Sequence, residues 1–282
     1  MICKTLLTVV TPLDDPAVAH ALLDAAVAYA RREDAHLEIL AVGIDDSQIG
    51  YFYGGTSMLL MQETLTRAET DSAGVEELVK NRMQAEDVRW SVDRAICQLG
   101  GLSTLVASRA RFADLVILPL PYGPGGSQAG EAALEAALFE ADVPVLVLPR
   151  GLTDAADFRK VVAAWNDTPE ALAAIREALP ILKAAEEVCI TIVDPPAYGI
   201  DRAEPGADLS QWLARHGVRP EVDVLAKTLP RISEVLLRQL RDRDSDLLVM
   251  GAYGHSRFRQ AILGGATRDI LEHATVPVFM AR

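Results

Sequence analysis

Apolar and polar positions alternate between two textures along this chain. Short apolar runs rich in Val, Ile and Leu are separated by longer stretches in which apolar residues recur at helical spacing. The first run, residues 4–10, ends at Thr11-Pro12-Leu13-Asp14-Asp15-Pro16. There Asp15 reads as an N-cap and Pro16 as the first residue of a helix. That helix is expected to reach Glu33 and to bury Leu22, Leu23, Ala26 and Tyr29. The pattern predicts further strands over 36–42, 88–93, 114–118 and 143–148. It predicts helices over 57–85, with a break near Gly74, and over 102–111 and 129–141.

The second half repeats the plan. Strands are expected over 160–165, 187–193, 218–225, 247–250 and 276–281, and helices from Pro169 to about Lys183, over 209–216 and over 232–241. The repeat is legible residue by residue. Ala113-Asp-Leu-Val-Ile-Leu118 answers Ser245-Asp-Leu-Leu-Val-Met250, Val143-Pro-Val answers Val276-Pro-Val, and Asp14-Asp15-Pro16 answers Asp167-Thr168-Pro169. Two tandem α/β domains, 1–150 and 157–282, account for this. Strands alternating with helices predict parallel sheets covered on both faces. Ligands of such sheets sit beyond the carboxyl ends of the strands, where strand order reverses. Asp167 and Gly251 both follow strand ends and share one crevice if their strands are neighbours.

The stretch from Asp246 to Arg282 carries the most chemistry. An apolar strand ends at Gly251; Gly254, Arg257, Arg259 and the pair Gly264-Gly265 follow, and then Thr267 opens an amphipathic helix. Strand, glycine turn and helix N-terminus together form a plausible phosphate-binding half of a nucleotide site. The corresponding loop of the first half, Pro119-Leu-Pro-Tyr-Gly-Pro124-Gly-Gly, has three prolines without N–H donors. Glu131 and Glu135 follow it, so this half is expected to be degenerate as a phosphate site.

Composition narrows the partners. The chain has 282 residues, half of them hydrophobic, and a net charge of −13. That acidity argues against nucleic acid and anionic membrane surfaces. Cys3, Cys97 and Cys189 are scattered and unpaired in pattern, which suits a reducing compartment. No apolar run approaches the roughly 18 residues of a membrane span, and the start reads as a first strand rather than a signal peptide. A cytoplasmic location is expected. The five histidines have no metal-ligand spacing, His255-Ser256 does not make a triad, and the cluster Met58, Leu59, Met61, Leu65 reads as core or interface.

The spacing Gly251-x2-Gly254-x9-Gly264, between an apolar strand and a helix that leads to a Val-Pro-Val strand, resembles the universal stress protein (UspA-like) family. The resemblance covers both halves and marks a tandem-domain member. It implies two open parallel five-stranded sheets, Rossmann-like with order 3-2-1-4-5, and helices on both faces. Some members of that family bind ATP or a related adenine nucleotide and others do not. By the resemblance Asp167 meets the ribose or adenine edge and Val193 the adenine. Met250 and Gly251 line the ribose side, and Gly254, Gly264, Gly265, Ala266 and Thr267 hold phosphates. Nucleotide-binding members carry Ser or Thr where Gly265 stands here, so a hydroxyl is replaced by backbone N–H alone.

The reading is of a cytoplasmic stress-response protein that binds ATP or a relative in its second half, with Mg2+ as the ion of a triphosphate, and acts by ligand-dependent interaction with a protein partner. No residue is positioned as a catalytic base, so at most slow ATP hydrolysis is expected. The alternative is an interaction module with both sites empty. A third reading, an enzyme related to adenine-nucleotide α-hydrolases, has the aromatic insert Tyr51-Phe52-Tyr53 as its sole hint. Proline at the start of a strand suits a sheet edge. The runs from Val143 to Leu148 and from Val276 to Ala281 are therefore expected to pair as an internal pseudo-dimer, with a homodimer as a further option.

Overall fold

The structure, a computed structural model, describes residues 3–12, 14–45, 57–155, 157–195, 204–252 and 265–282. The chain forms two compact units. One comprises Cys3–Val143 with Arg150–Ala156, the other Pro144–Pro149 with Asp157–Arg282.

The first unit contains β1 (Thr5–Val10), α1 (Pro16–Glu33), β2 (His36–Asp45), α2 (Ser57–Met83), β3 (Arg89–Gln98), α3 (Leu102–Ala110), β4 (Leu115–Pro119) and α4 (Gln128–Glu135). The last helix runs on as a π-helical turn, Ala136–Glu140. Its strands lie in the order β3-β2-β1-β4 and are all parallel. The apolar run of β1 is buried from Leu6 to Val10 because helices cover both faces of a parallel sheet. Asp15 caps α1 as expected, its carboxylate accepting the Ala17 N–H at 2.8 Å. The third strand is longer than its apolar pattern suggests. It pairs with β2 along the full register from His36 opposite Arg89 to Asp45 opposite Gln98, so the ladder sets its length.

Helix α2 does not break at Gly74. Ala68, Ser72, Val75, Val79 and Met83 form a buried stripe along one face, and packing on that stripe outweighs the ~1 kcal/mol helix penalty of one glycine. A glycine on the sheet makes this packing possible. A Cβ on Gly43 would stand 2.2 Å from the Ala68 carbonyl oxygen and 2.8 Å from Ser72 Cβ.

The second unit contains β5 (Val145–Leu148), β6 (Lys160–Ala164), α5 (Pro169–Glu177), α6 (Leu179–Ala184), β7 (Glu187–Val193), α7 (Ala207–Arg215), β8 (Glu221–Leu225), α8 (Ile232–Asp242), β9 (Leu247–Gly251), α9 (Ala266–His273) and β10 (Val278–Ala281). The order is β5-β10-β9-β6-β7-β8. From β10 to β8 this is the 3-2-1-4-5 arrangement, entirely parallel. The single helix expected from Pro169 divides at Ala178, just before Pro180, which has no N–H to continue the ladder.

Strand β5 follows the first half in sequence but groups with the second unit. It pairs antiparallel with β10, Val147 opposite Val278 and Val145 opposite Met280. The spatial boundary therefore crosses the expected division at residue 150. The internal repeat is also written in hydrogen bonds. Asp114 accepts the N–H groups of Lys4 and Thr5 at 2.6 and 2.9 Å. Asp246 accepts those of Arg159 and Lys160 at 2.8 and 3.1 Å. Each carboxylate stands just before a strand and pins the entry of the neighbouring one.

Two glycine substitutions should have opposite signs. Gly43→Val should lower unfolding free energy by about 2–4 kcal/mol through a backbone clash, whereas Gly74→Ala, where a Cβ meets nothing within 4 Å, should raise it by about 0.5–1 kcal/mol. Urea titration of the three proteins reads both.

Candidate functional site at the carboxyl edge of the second sheet

From β6 the chain proceeds on one side to β7 and β8, and later returns on the other side as β9 and β10. The loops after β6 and β9 therefore diverge from adjacent strands, the place where an open α/β sheet leaves a crevice. The loop after β6 is Trp165-Asn166-Asp167-Thr168. Thr168 caps α5: its hydroxyl accepts the Ala171 N–H at 3.3 Å and donates to Asn166 Oδ1 at 2.8 Å. Capping is thereby done without Asp167. That residue is exposed, holds a left-handed backbone with φ 57°, and makes no hydrogen bond to a described residue.

Gly251 ends β9. A Cβ there would lie 2.5 Å from Ala171 N and 2.6 Å from the Glu170 carbonyl carbon. The first turn of α5 rests directly on the glycine backbone, and this close approach brings Asp167, Thr168 and the end of β9 together. Met250 is buried in the sheet opposite Met280. Val193 is half-buried at the carboxyl end of β7, opposite Leu225.

Gly265 is the N-cap of α9 and supplies no side chain to the cap. Ala266 is exposed and Thr267 buried within the first turn. The first intrahelical bond runs from the Asp269 N–H to the Gly265 carbonyl, 3.1 Å, so earlier N–H groups have no acceptor inside the helix. Gly254 and Gly264 lie outside the described residues, as do Arg257, Arg259, the His255-Ser256 pair and the Tyr51-Phe52-Tyr53 insert. The structure thus brings Asp167, Val193, Met250, Gly251 and Gly265 to Thr267 to one edge of one sheet.

Two features of this edge have weak sequence signals. Asp194 follows Val193 with φ 52° and is exposed, giving adjacent strands β6 and β7 a left-handed aspartate each. Its position before Pro195 at a strand end is a turn signal, not a chemical one. Asp269 is buried in α9 and accepts from Arg231 Nη1 at 3.0 Å and Ser233 Oγ at 3.1 Å. Both partners belong to the start of α8, some forty residues earlier.

The matching loop of the first unit is organised differently. Gly126 donates to the Gly123 carbonyl at 3.0 Å across a turn with Pro124 second and Gly125, φ 75°, third, the geometry of a type II turn. The guanidinium of Arg150 packs on Gly125, its Nη1 2.2 Å from where a Cβ would stand. Ser127 caps α4 by accepting the Gly130 N–H at 3.0 Å. Asp14, counterpart of Asp167, is not free: it accepts the N–H and hydroxyl of Thr11 at 2.8 and 3.0 Å. Burial nevertheless lifts its carboxyl above the usual range, against the lowering effect of those two bonds.

Cys189 is buried and its thiol is pushed up by that burial, so it is no ready nucleophile. It donates to Asp223 at 3.4 Å, a carboxylate held low chiefly by Arg243 at 2.8 Å. Among the described residues no group of three His, Cys, Asp or Glu is arranged to hold a metal ion. No described helix is long and apolar enough to cross a membrane.

An open α/β sheet with a glycine-ended strand and a helix N-terminus at its switch point defines a Rossmann-like fold class. Comparison with known proteins makes the assignment finer. Residues 157–282 match the model of the Universal stress protein family. A universal stress protein of Synechocystis sp. is 36% identical over 70 residues, 25% of this chain and 23% of that relative. The aligned part is thus under a quarter of the relative's length. The solved universal stress protein of Archaeoglobus fulgidus has a TM-score of 0.69 at 16% identity, covering 100% of this chain and 97% of its own. A second solved structure, from Pseudomonas aeruginosa, has a TM-score of 0.61 at 16% identity, covering 99% and 93%. The family match spans residues 157–282, and the fold throughout the chain is similar to those two structures.

A testable pH effect follows from Asp14. A folded-state pKa raised by burial means that the group favours folding when protonated, and that this contribution is lost as pH rises through the folded value. Asp14→Asn keeps an acceptor for Thr11 without the charge. Its stability relative to wild type should increase as pH rises across the carboxylate range and then level off, as read by thermal unfolding at a series of pH values.

Proposed function

We propose that the second unit binds an adenine nucleotide, ATP or a relative, beyond the carboxyl ends of β6 and β9. The observation that carries this reading is an uncommitted, left-handed Asp167 in the loop that rests on Gly251 at the switch point, with the side-chain-free N-cap of α9 following the same strand end. Asp167 accepts from ribose hydroxyls or the adenine edge, and the Val193 backbone faces the base. Gly251 and Met250 line the ribose. Phosphates lie against Gly254, Gly264 and the first turn of α9, Gly265 to Thr267, where backbone N–H groups and the helix dipole favour an anion. The cap is backbone alone at Gly265, so affinity rests on N–H donors rather than on a hydroxyl. A triphosphate arrives with Mg2+, because Asp167 and Asp194 stand exposed at this edge and cannot neutralise it.

The first unit serves structure rather than phosphate binding, a role consistent with its three proline positions and its internally used Gly126 and Gly130 N–H groups. The protein acts in the cytoplasm as a stress-response binding protein whose nucleotide sets the order of the loop after β9 and so a surface for a protein partner. No catalytic residue is assigned. One observation favours the alternative of an interaction module with both sites empty: the missing hydroxyl at Gly265.

Mass spectrometry of small molecules released from gently purified protein, followed by calorimetry with ATP, ADP and AMP, tests the reading. Asp167→Ala, at an exposed position, should leave the fold intact and weaken binding about tenfold, the worth of one hydrogen bond to a charged group. Gly265→Ser should strengthen it. No released nucleotide and no heat at millimolar ligand would end the proposal in favour of the empty module.

A further inference from the structure

We propose that Asp269 is a specificity-determining residue of the second unit's site: a built-in anion, placed one turn inside α9, that penalises ligands in proportion to their phosphate charge. This inference rests on the nucleotide reading above.

The geometry sets it apart from an ordinary surface pair. Asp269 is only 8% exposed. Its N–H closes the first turn of α9 on the Gly265 carbonyl, so it stands four residues after the cap, about 6 Å along the helix axis from the place proposed for phosphate. Its carboxylate is fixed by Arg231 and by the buried Ser233 hydroxyl. Arg231, whose side chain is 62% exposed, lies at the start of α8 beside that turn, and Asp269 neutralises it. One carboxylate therefore offsets two positive sources of the described edge, the α9 N-terminus and Arg231. A negative charge this close to a phosphate, largely shielded from water, weakens the binding of a triphosphate by roughly tenfold and of a monophosphate by less.

The first unit repeats the device with other partners. Glu131 occupies the same place in α4: its N–H closes the first turn on the Ser127 carbonyl at 3.0 Å, and its carboxylate accepts the Tyr122 hydroxyl at 3.3 Å. Each unit sets a carboxylate four residues after the cap of the helix that follows its glycine loop. A carboxylate in the first turn also stabilises its own helix, and that role alone predicts a different outcome for the variants.

Calorimetry on the full chain, wild type, Asp269→Asn and Arg231→Gln, with ATP, ADP, AMP, adenosine and inorganic pyrophosphate, separates them. Asp269→Asn keeps the size of the side chain and leaves Arg231 charged. It should bind ATP about tenfold more tightly, AMP less so, and adenosine unchanged; Arg231→Gln should lose affinity in the same order. Ser233→Ala, which removes a hydrogen bond and no charge, should show no gain, and it stands in if Arg231→Gln does not fold. Loss of affinity in Asp269→Asn, or an equal change for every ligand including adenosine, overturns the proposal. If no adenine compound binds but pyrophosphate binds Asp269→Asn more tightly than wild type, the nucleotide reading fails and the role of Asp269 stands. Nucleotide binding that is indifferent to Asp269→Asn sinks the role of Asp269 alone, and silence with every ligand sinks both.

Discussion

The candidate site depends on one contact between backbones. The first turn of α5 rests on Gly251, with Ala171 N only 2.5 Å from the missing Cβ. No side chain of any size fits between them, and the result is that the loop after β6 lies against the end of β9. The neighbouring strands make this contact possible. Asp246 holds the entry of β6 through two N–H groups, which fixes the β6–β9 register at one end. The glycine closes the same pair at the other end. Carboxylate below and glycine above define the crevice between them before any ligand is considered.

The two units show how the same frame diverges in use. In the first, Asp114 repeats the lower clamp faithfully, while the upper end changes. Pro119 stands where the second unit has Gly251, Asp14 turns back on Thr11, and Arg150 lies over Gly125. In the second unit Thr168 takes over the capping work and leaves Asp167 uncommitted. Strand entries are held by a carboxylate that accepts two successive backbone N–H groups, and they vary little between the halves. Loop ends are exposed, and there prolines and glycines decide how many donors remain.

The fold was readable in the sequence because its signals are local and strong. β-branched runs, N-caps and the two Asp-Leu strand starts sit within a few residues of the structure they specify, while the strand order of the second unit was an expectation from the family resemblance. Asp167, Gly251 and the start of α9 were legible for the same reason. What escaped depended on distance. The extra length of β3 is set by β2, the continuity of α2 through Gly74 by a stripe of contacts with the sheet, and the bond from Arg231 and Ser233 to Asp269 by the packing of α8 on α9. None of these has a signature in the residues nearest to it. Asp194 shows the converse: its left-handed backbone is local, yet a lone aspartate before a proline carries no chemical meaning until the sheet places it beside Asp167's strand.

The membership of β5 in the second unit has a consequence for synthesis. Val145–Leu148 leaves the ribosome with the first half, but its antiparallel partner, Val278–Ala281, is made roughly 130 residues later. At ~5–20 residues per second that gap lasts on the order of ten seconds. Throughout it, a four-residue strand of Val and Leu has a hydrogen-bonding edge whose native mate does not yet exist. The proline on each side of it, Pro144 and Pro149, shortens the stretch that another nascent strand could pair with. Those prolines guard the interval of translation as much as they shape the finished sheet.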